Sequence, residues 1–245
     1  MSHQKPTVVL VHGAFAESAS WNGVIERLHA EGVTSVAVAN PLRSLAGDAA
    51  AVRDVIASID GPVVLVGHSY GGLVISEASA GNAQVAALVY VCAFVPETGD
   101  SAFALSTSAP GSTLGDALDA HPISTGGIEF TIRRDVFREQ FAADVDPKTA
   151  GLMGATQRPV TEAALQEAVR SARPGWKDAP SWHVFATEDR NIPVAVHRSG
   201  AERSGSRGTR EIEGASHALS VSRPDAVAEV VLEAVRAVSE AKAAA

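Results

Sequence analysis

The chain has 245 residues, 46% hydrophobic and 20% charged, with 28 acidic against 20 basic side chains and a formal net charge of −8. That length fits one large domain burying roughly 70–75% of its unfolded surface, and an acidic balance without a basic cluster argues against nucleic acid as a partner. A single cysteine excludes an internal disulfide and a Cys-based metal site, and no apolar run reaches the ~18 residues that a membrane helix needs.

Residues 1–6 lack the apolar stretch of a signal peptide, so a cytoplasmic protein is expected. Short valine-rich runs then recur at 7–11, 34–39, 63–66, 87–91, 181–186 and 209–212. Most are continuous rather than alternating, as strands covered on both faces are. Helical patterns separate them at 20–30, 48–59, 72–80, 194–204 and 225–241. The last opens on Ser222 or Arg223, then Pro224, with Asp225 adding favourable charge in the first turn. This alternation predicts an α/β fold, a doubly wound and mostly parallel sheet of about six strands with right-handed crossovers. Cys92, at the edge of the 87–91 run, is expected to be a small core thiol.

The rhythm breaks from about 94 to 180, where no core strand is evident and helices are expected at 132–142 and 161–172, the second started by Thr161-Glu162. A structureless loop of that length is improbable in a compact domain. The expectation is a single domain over 1–245 with a helical cap inserted at about 94–180. The alanine-rich stretch 241–245 reads as a frayed end.

Chemistry enters at 63–73, where Val-Val-Leu-Val-Gly-His-Ser-Tyr-Gly-Gly-Leu places a G-x-S-x-G between a strand and a helix. That setting is what a nucleophile elbow needs: Ser69 at the tip of a tight turn, with Gly67 and Gly71 letting strand and helix approach. The helix behind it directs free N–H groups and a positive dipole end toward any oxyanion formed beside Ser69. A serine hydroxyl is a poor nucleophile alone and requires a base and a group to orient that base. Functional groups in such sheets gather beyond the carboxyl ends of the strands. His217, in Gly214-Ala215-Ser216-His217 after the final strand, meets that requirement. His12 is expected to shape its own turn and His68 to point elsewhere, while His29, His121, His183 and His197 fall in helices, cap or strand. The acid should follow the preceding strand, where Thr187-Glu188-Asp189-Arg190 offers Glu188 or Asp189. The order serine, acid, histidine is that of the α/β-hydrolases. The first strand ends in His12-Gly13-Ala14, and an N–H just after Gly13, with that of Tyr70, could bind an oxyanion.

These pieces resemble the α/β-hydrolase superfamily, and more narrowly the small bacterial hydrolases related to plant methyl esterases and hydroxynitrile lyases. The resemblance covers nearly the whole chain through Val-Leu-Val-His-Gly-Ala-Phe at 9–15, Trp21, Gly-His-Ser-Tyr-Gly-Gly at 67–72, Thr-Glu-Asp-Arg-Asn-Ile-Pro at 187–193 and Ala-Ser-His at 215–217. It implies that Asp189 is the triad acid and that the oxyanion donors are the N–H groups of Ala14 and Tyr70. Lyases of this group carry a threonine where Gly13 stands and a lysine where Ala218 stands, so lyase activity is not expected.

No G-x-G-x-x-G follows the first strand, no phosphate loop is present, and no metal-ligand spacing occurs. The expected protein is therefore a serine hydrolase without a cofactor, a carboxylesterase acting on a small apolar ester through an acyl-enzyme. Its expected partner is a small-molecule ester, with neither nucleic acid nor membrane, and a homodimer is left open. The same triad could serve C–C bond cleavage, amide hydrolysis or perhydrolysis, or persist in a slow-turnover ligand receptor. Of the cap aromatics and aliphatics (Phe103, Phe130, Phe137, Phe141, Met153, Trp176), some should line an apolar site and most should pack.

Overall fold

The computed structural model describes residues 5–243. The chain opens with β1 (Thr7–Val11), α1 (Asn22–Ala30), β2 (Ser35–Val38), α2 (Leu45–Ala57), β3 (Val63–His68), α3 (Gly71–Ala78) and β4 (Val85–Val91). After the cap it closes with a strand at Ser181–Ala186, a helix at Val194–Arg203, a strand at Gly208–Ile212 and two helices, Leu219–Ser222 and Pro224–Ala243. The final two residues of the alanine-rich tail lie outside the described residues. The six core strands pair in parallel, and in sheet order their chain ranks are second, first, third, fourth, fifth and sixth.

The continuous valine runs are explained by burial on both faces. Val9, Val11, Leu65 and Leu88 pack with residues of α2 and α3, whereas Val8, Leu10, Val64, Val66 and Val89 pack with α1 and the carboxyl-terminal helix. Because successive strand residues point to opposite faces, only a run that is apolar at every position supplies both cores. The six expected strands all form, within two residues of their expected ends. The start of the last helix also matches: Asp225, in its first turn, bonds to Arg27 of α1, which fixes the two helices together on one face of the sheet.

The segment between β4 and the fifth core strand differs from the expected helical cap. It holds α4 (Ala102–Ser106), β5 (Leu118–Pro122), β6 (Ile128–Ile132), α5 (Phe137–Phe141), α6 (Pro147–Thr156), β7 (Val160–Thr161) and α7 (Glu162–Gln166). The three strands form an antiparallel sheet in that order. β5 reads Leu-Asp-Ala-His-Pro and is mostly exposed, so it lacks the valine signature of the core strands. Its partner β6 is reached through Gly126 and Gly127, both at φ 93°, the left-handed geometry that glycine supplies for a tight turn.

The expected helix at 132–142 shrinks to α5 because Ile132 is held as strand. Its N–H donates to Gln157 Oε1 and its carbonyl accepts from Gln157 Nε2. The helix at 161–172 begins as expected, with Thr161 Oγ1 accepting from Ala164 N–H. It stops early because Val169 N–H bonds to Asp100 O and Val169 O accepts from Gly99 N–H. Non-local backbone bonds override local propensity in both cases. The unexpected α6 carries its own start signal, an Asp146 cap followed by Pro147. Following chain order, the five closing elements beyond the cap are β8 (Ser181–Ala186), α8 (Val194–Arg203), β9 (Gly208–Ile212), α9 (Leu219–Ser222) and α10 (Pro224–Ala243).

Among the described residues no helix is long and apolar enough to cross a membrane.

Candidate active site

Ser69 sits in the turn from β3 into α3 at φ 56°. A non-glycine residue held there stores strain of about 1–3 kcal/mol. Backbone hydrogen bonds maintain it: Ser69 N–H donates to Val91 O at 3.2 Å, while Phe94 N–H and Gly72 N–H donate to Ser69 O at 3.3 and 3.0 Å. The flanking glycines are required by contact. A Cβ on Gly67 would lie 2.6 Å from Gly71 O, one on Gly71 would lie 2.5 Å from Val11 O, and one on Gly72 would lie 2.2 Å from Phe94 O.

The turn after β1 lies against this elbow, since a Cβ on Gly13 would sit 2.6 Å from Ser69 Cβ and 3.2 Å from its Oγ. His12 shapes that turn, as expected. Its Nδ1–H donates to Gly13 O at 2.9 Å and its Nε2 accepts from Asn40 N–H at 3.1 Å. Burial pushes the His12 imidazole below its usual range, which keeps it neutral. The N–H groups of Ala14 and Tyr70 donate to no other backbone group among the described residues, and both residues line the same cavity as Ser69. Tyr70 is anchored through its hydroxyl, which donates to Asp48 Oδ2 at 2.9 Å.

Of the two candidate acids after β8, Glu188 is exposed and Asp189 is buried. Asp189 Oδ1 accepts the N–H groups of Asn191 (2.8 Å) and Ile192 (2.9 Å). Its Oδ2 accepts His217 Nδ1–H at 2.6 Å and His197 Nε2–H at 3.0 Å. Burial alone would raise this carboxyl, but His217 beside it and the hydrogen bonds from His197 and His217 prevail and hold it below the usual carboxylate range. With Nδ1 carrying the proton, His217 presents Nε2 as a lone pair, and that buried nitrogen has no hydrogen-bond partner among the described residues.

Residues without a motif brace this arrangement. His68 is not among the described residues lining the cavity, yet its Nε2–H donates to the His217 carbonyl at 3.0 Å and its ring lies 4.7 Å from the His217 ring. Phe141 meets the His217 ring edge-on at 5.0 Å. The cap fastens both loops. Gln140 Nε2 donates to Arg190 O and Asn191 Oδ1, Phe141 O accepts from Ala218 N–H, and Ser216 donates from its N–H and hydroxyl to Asp144. The sequence reading missed the roles of Gln140, Asp144 and His197, because each acts only across a tertiary contact.

Ser69, Ala14 and Tyr70 open onto a cavity of about 300 Å³, walled by Phe15, Phe94, Leu165 and Ile192 and by cap residues including Phe103 and Leu114. Asp116 is the one charged residue of the described lining. Of the cap aromatics, Phe103 lines the cavity, whereas Phe137 and Phe141 stack on one another in the core with ring centroids 5.3 Å apart. Trp176 packs with its Nε1–H on Pro96 O.

Cys92 is wholly buried, as expected of a core thiol, and its sulfur, an Asp189 oxygen and a His197 nitrogen lie within 4.8 Å of one another. Each Asp189 oxygen already accepts two N–H groups, and burial holds the thiol protonated well above its usual range. The thiol therefore packs beneath the carboxylate.

The buried imidazoles make the fold acid-sensitive. Burial, then neighbouring His217, pushes His68 down to about 3, and burial pushes His183 down to about 3. Below the usual 6.5 the unfolded chain takes up protons that these folded sites refuse, so their contribution is complete above pH 6.5 and declines as pH falls toward 3. By pH 5 the loss is about 2 kcal/mol for each group. Asp189, whose folded pKa is depressed, withdraws its own contribution only below about pH 4. Urea midpoints measured from pH 7.5 to 4.5 should fall steeply below pH 6.5; a flat profile over that range would show that these imidazoles are free to protonate in the folded chain.

A parallel six-stranded sheet with a serine elbow at one strand end, a buried Asp–His pair beyond two later strands and an inserted cap defines the α/β-hydrolase architecture. The profile of the alpha/beta hydrolase family matches residues 8–230, and the chain belongs to that family. It is 28% identical over 258 residues to the alpha/beta hydrolase nvfD of Aspergillus novofumigatus, covering 94% of this chain and 96% of that protein. It is 26% identical over 247 residues to salicylic acid-binding protein 2 of Nicotiana tabacum, covering 92% and 95%. The crystal structure of polyneuridine aldehyde esterase superposes with a TM-score of 0.79 at 21% identity, covering 94% of this chain and 99% of that one. The expected membership of the α/β-hydrolase superfamily is borne out by the family profile.

Proposed function

We propose that this chain is a cofactor-independent serine carboxylesterase for small, neutral, apolar esters. The observation that carries the reading is His217: its Nδ1–H is committed to a buried carboxylate and its Nε2 lone pair is left free, beside an elbow whose serine lines a cavity. Ser69 Oγ attacks the ester carbonyl carbon while its proton passes to His217 Nε2. The charge that develops on the carbonyl oxygen is received by the N–H groups of Ala14 and Tyr70, each worth on the order of 3 kcal/mol. The bond to the alcohol oxygen then breaks as His217 returns the proton to it. Water attacks the acyl-enzyme with the same base, and the acid leaves. Asp189 holds the productive tautomer and offsets the positive charge of the imidazolium.

Apolar walls and the absence of any cation from the described lining favour a neutral substrate. The tobacco relative is named for binding salicylic acid, but among the described residues no cationic side chain lines this cavity to pair with a carboxylate. That favours turnover over retention of an acid. Product analysis on matched ester, amide and β-diketone substrates separates ester cleavage from the other reactions open to this triad.

The direct test is a fluorophosphonate probe followed by peptide mass spectrometry. One adduct on Ser69 is expected, lost in His217→Ala. No adduct on the wild-type protein, or labelling of His217→Ala at the wild-type rate, would remove the claim of a His217-activated serine.

A further inference from the structure

We infer that His197 is a second positioning residue of the proposed catalytic apparatus, setting the pH range of activity through the Asp189 oxygen that it shares with His217. The inference rests on the serine-hydrolase reading above.

His197 projects from α8, a helix whose other polar residues include Arg198, Glu202 and Arg203, yet its side chain is 1% exposed. Its ring stacks on Phe185 of β8 with centroids 5.1 Å apart and planes 20° from parallel. The stack on Phe185 asks only for a flat ring. The imidazole does something an apolar side chain cannot: its Nε2–H reaches Asp189 Oδ2 at 3.0 Å, the oxygen that also accepts from His217 Nδ1 at 2.6 Å. His197 is absent from the cavity lining, so any effect on the reaction must pass through Asp189.

The physical consequence has a sign. A second donor on Oδ2 stabilises the carboxylate and draws negative charge away from the side facing His217. The pull of Asp189 on a protonated His217 is thereby weakened, which favours the neutral imidazole that a general base requires. The donor also locks the carboxylate: with two N–H groups on each oxygen it cannot rotate without breaking bonds. Removing the His197 donor concentrates charge on Oδ2 toward His217, and activity should then require a higher pH.

The other titratable groups around this pair are fixed in the comparison. His68 at the end of β3 faces both His217 and Asp189, with His12 behind it, and burial holds each below its usual range. His183 of β8 faces His197 and is likewise held low. The Cys92 thiol lies beneath Asp189, with Asp144 of the cap near it, and is held high. Arg190, beside Asp189 in the loop, pairs outward with Glu139, and Glu188 is exposed. None of these groups lies between His197 and Oδ2.

The experiment is the pH profile of kcat/KM for a neutral p-nitrophenyl ester with wild type, His197→Phe and His197→Gln. The phenylalanine keeps the stack on Phe185 and lacks the donor, while the glutamine amide retains an N–H of similar reach. In His197→Phe the acidic limb should move up by on the order of 0.5–1 pH unit, with kcat/KM at neutral pH lowered roughly tenfold and KM little changed. His197→Gln should keep the wild-type limb. A limb that stays at the wild-type position in His197→Phe overturns the inference, even if that variant is slower or less stable. Should His197→Phe fail to fold, His197→Met supplies the same comparison. The underlying hydrolase reading fails separately, by the absence of Ser69-dependent ester turnover in the wild-type protein.

Discussion

Ser69→Ala is expected to lower kcat/KM on a p-nitrophenyl ester by about 100,000-fold or more, because the nucleophile's loss removes the covalent route altogether. What remains is binding and the oxyanion donors acting on water, which supply only a small fraction of the rate. The substitution should leave the fold intact. It removes one oxygen at the wall of a cavity, and alanine at φ 56° is strained to the same degree as serine. Ser69→Gly makes the point from the other side. Glycine occupies the left-handed region freely, so that variant should be equally inactive and about 1 kcal/mol more stable. Steady-state kinetics with urea denaturation on both variants decides the matter. More than a few per cent of wild-type activity in a folded Ser69→Ala protein would mean that another group attacks the substrate. A glycine variant less stable than wild type would mean that the turn is not held under strain.

The core and the cap were legible in the sequence to very different degrees, for a physical reason. A strand buried on both faces is apolar at most of its positions, and the runs at 7–11 and 181–186 declare their limits to the residue, the second in spite of its buried Ser181 and His183. The cap strand Leu118–Pro122 is mostly exposed and pairs with only one neighbour, so nothing forces its side chains to be apolar. Helix ends in the cap were set by distant partners, Gln157 for Ile132 and Asp100 for Val169, which local patterning does not carry. The site divides in the same way. Ser69 was marked by glycines that its neighbours require, and His217 by its place after the last core strand. The choice between Glu188 and Asp189 needed the family resemblance, since adjacent residues differ only in the direction the folded loop gives them. His197 and Gln140 carry no local mark because their roles arise entirely from what α8 and α5 are packed against.

Asp189→Asn is expected to lower kcat by about 10,000-fold while leaving the protein folded. The hydrogen-bond pattern around the carboxylate decides how the amide sits. In the wild type all four partners are donors, two backbone N–H groups on Oδ1 and two imidazole N–H groups on Oδ2. An asparagine offers one acceptor oxygen and an NH2 with two N–H donors. If its NH2 faced the N–H groups of Asn191 and Ile192, buried donors would oppose donors, at a cost of about 1–3 kcal/mol for each group left unsatisfied. The amide oxygen should therefore stay with the backbone, and the NH2 should take the place of Oδ2. There it can donate only to imidazole lone pairs, which forces His217 to move its proton from Nδ1 to Nε2. The nitrogen that must receive the Ser69 proton is then already protonated. Because His197 can change tautomer in the same way, the network remains satisfied, and the urea midpoint should change far less than the rate. Nitrogen-15 chemical shifts of His217 would report the tautomer directly. An asparagine variant within tenfold of wild-type kcat would show that Asp189 does not govern His217, and with it the account of both imidazoles would have to be abandoned.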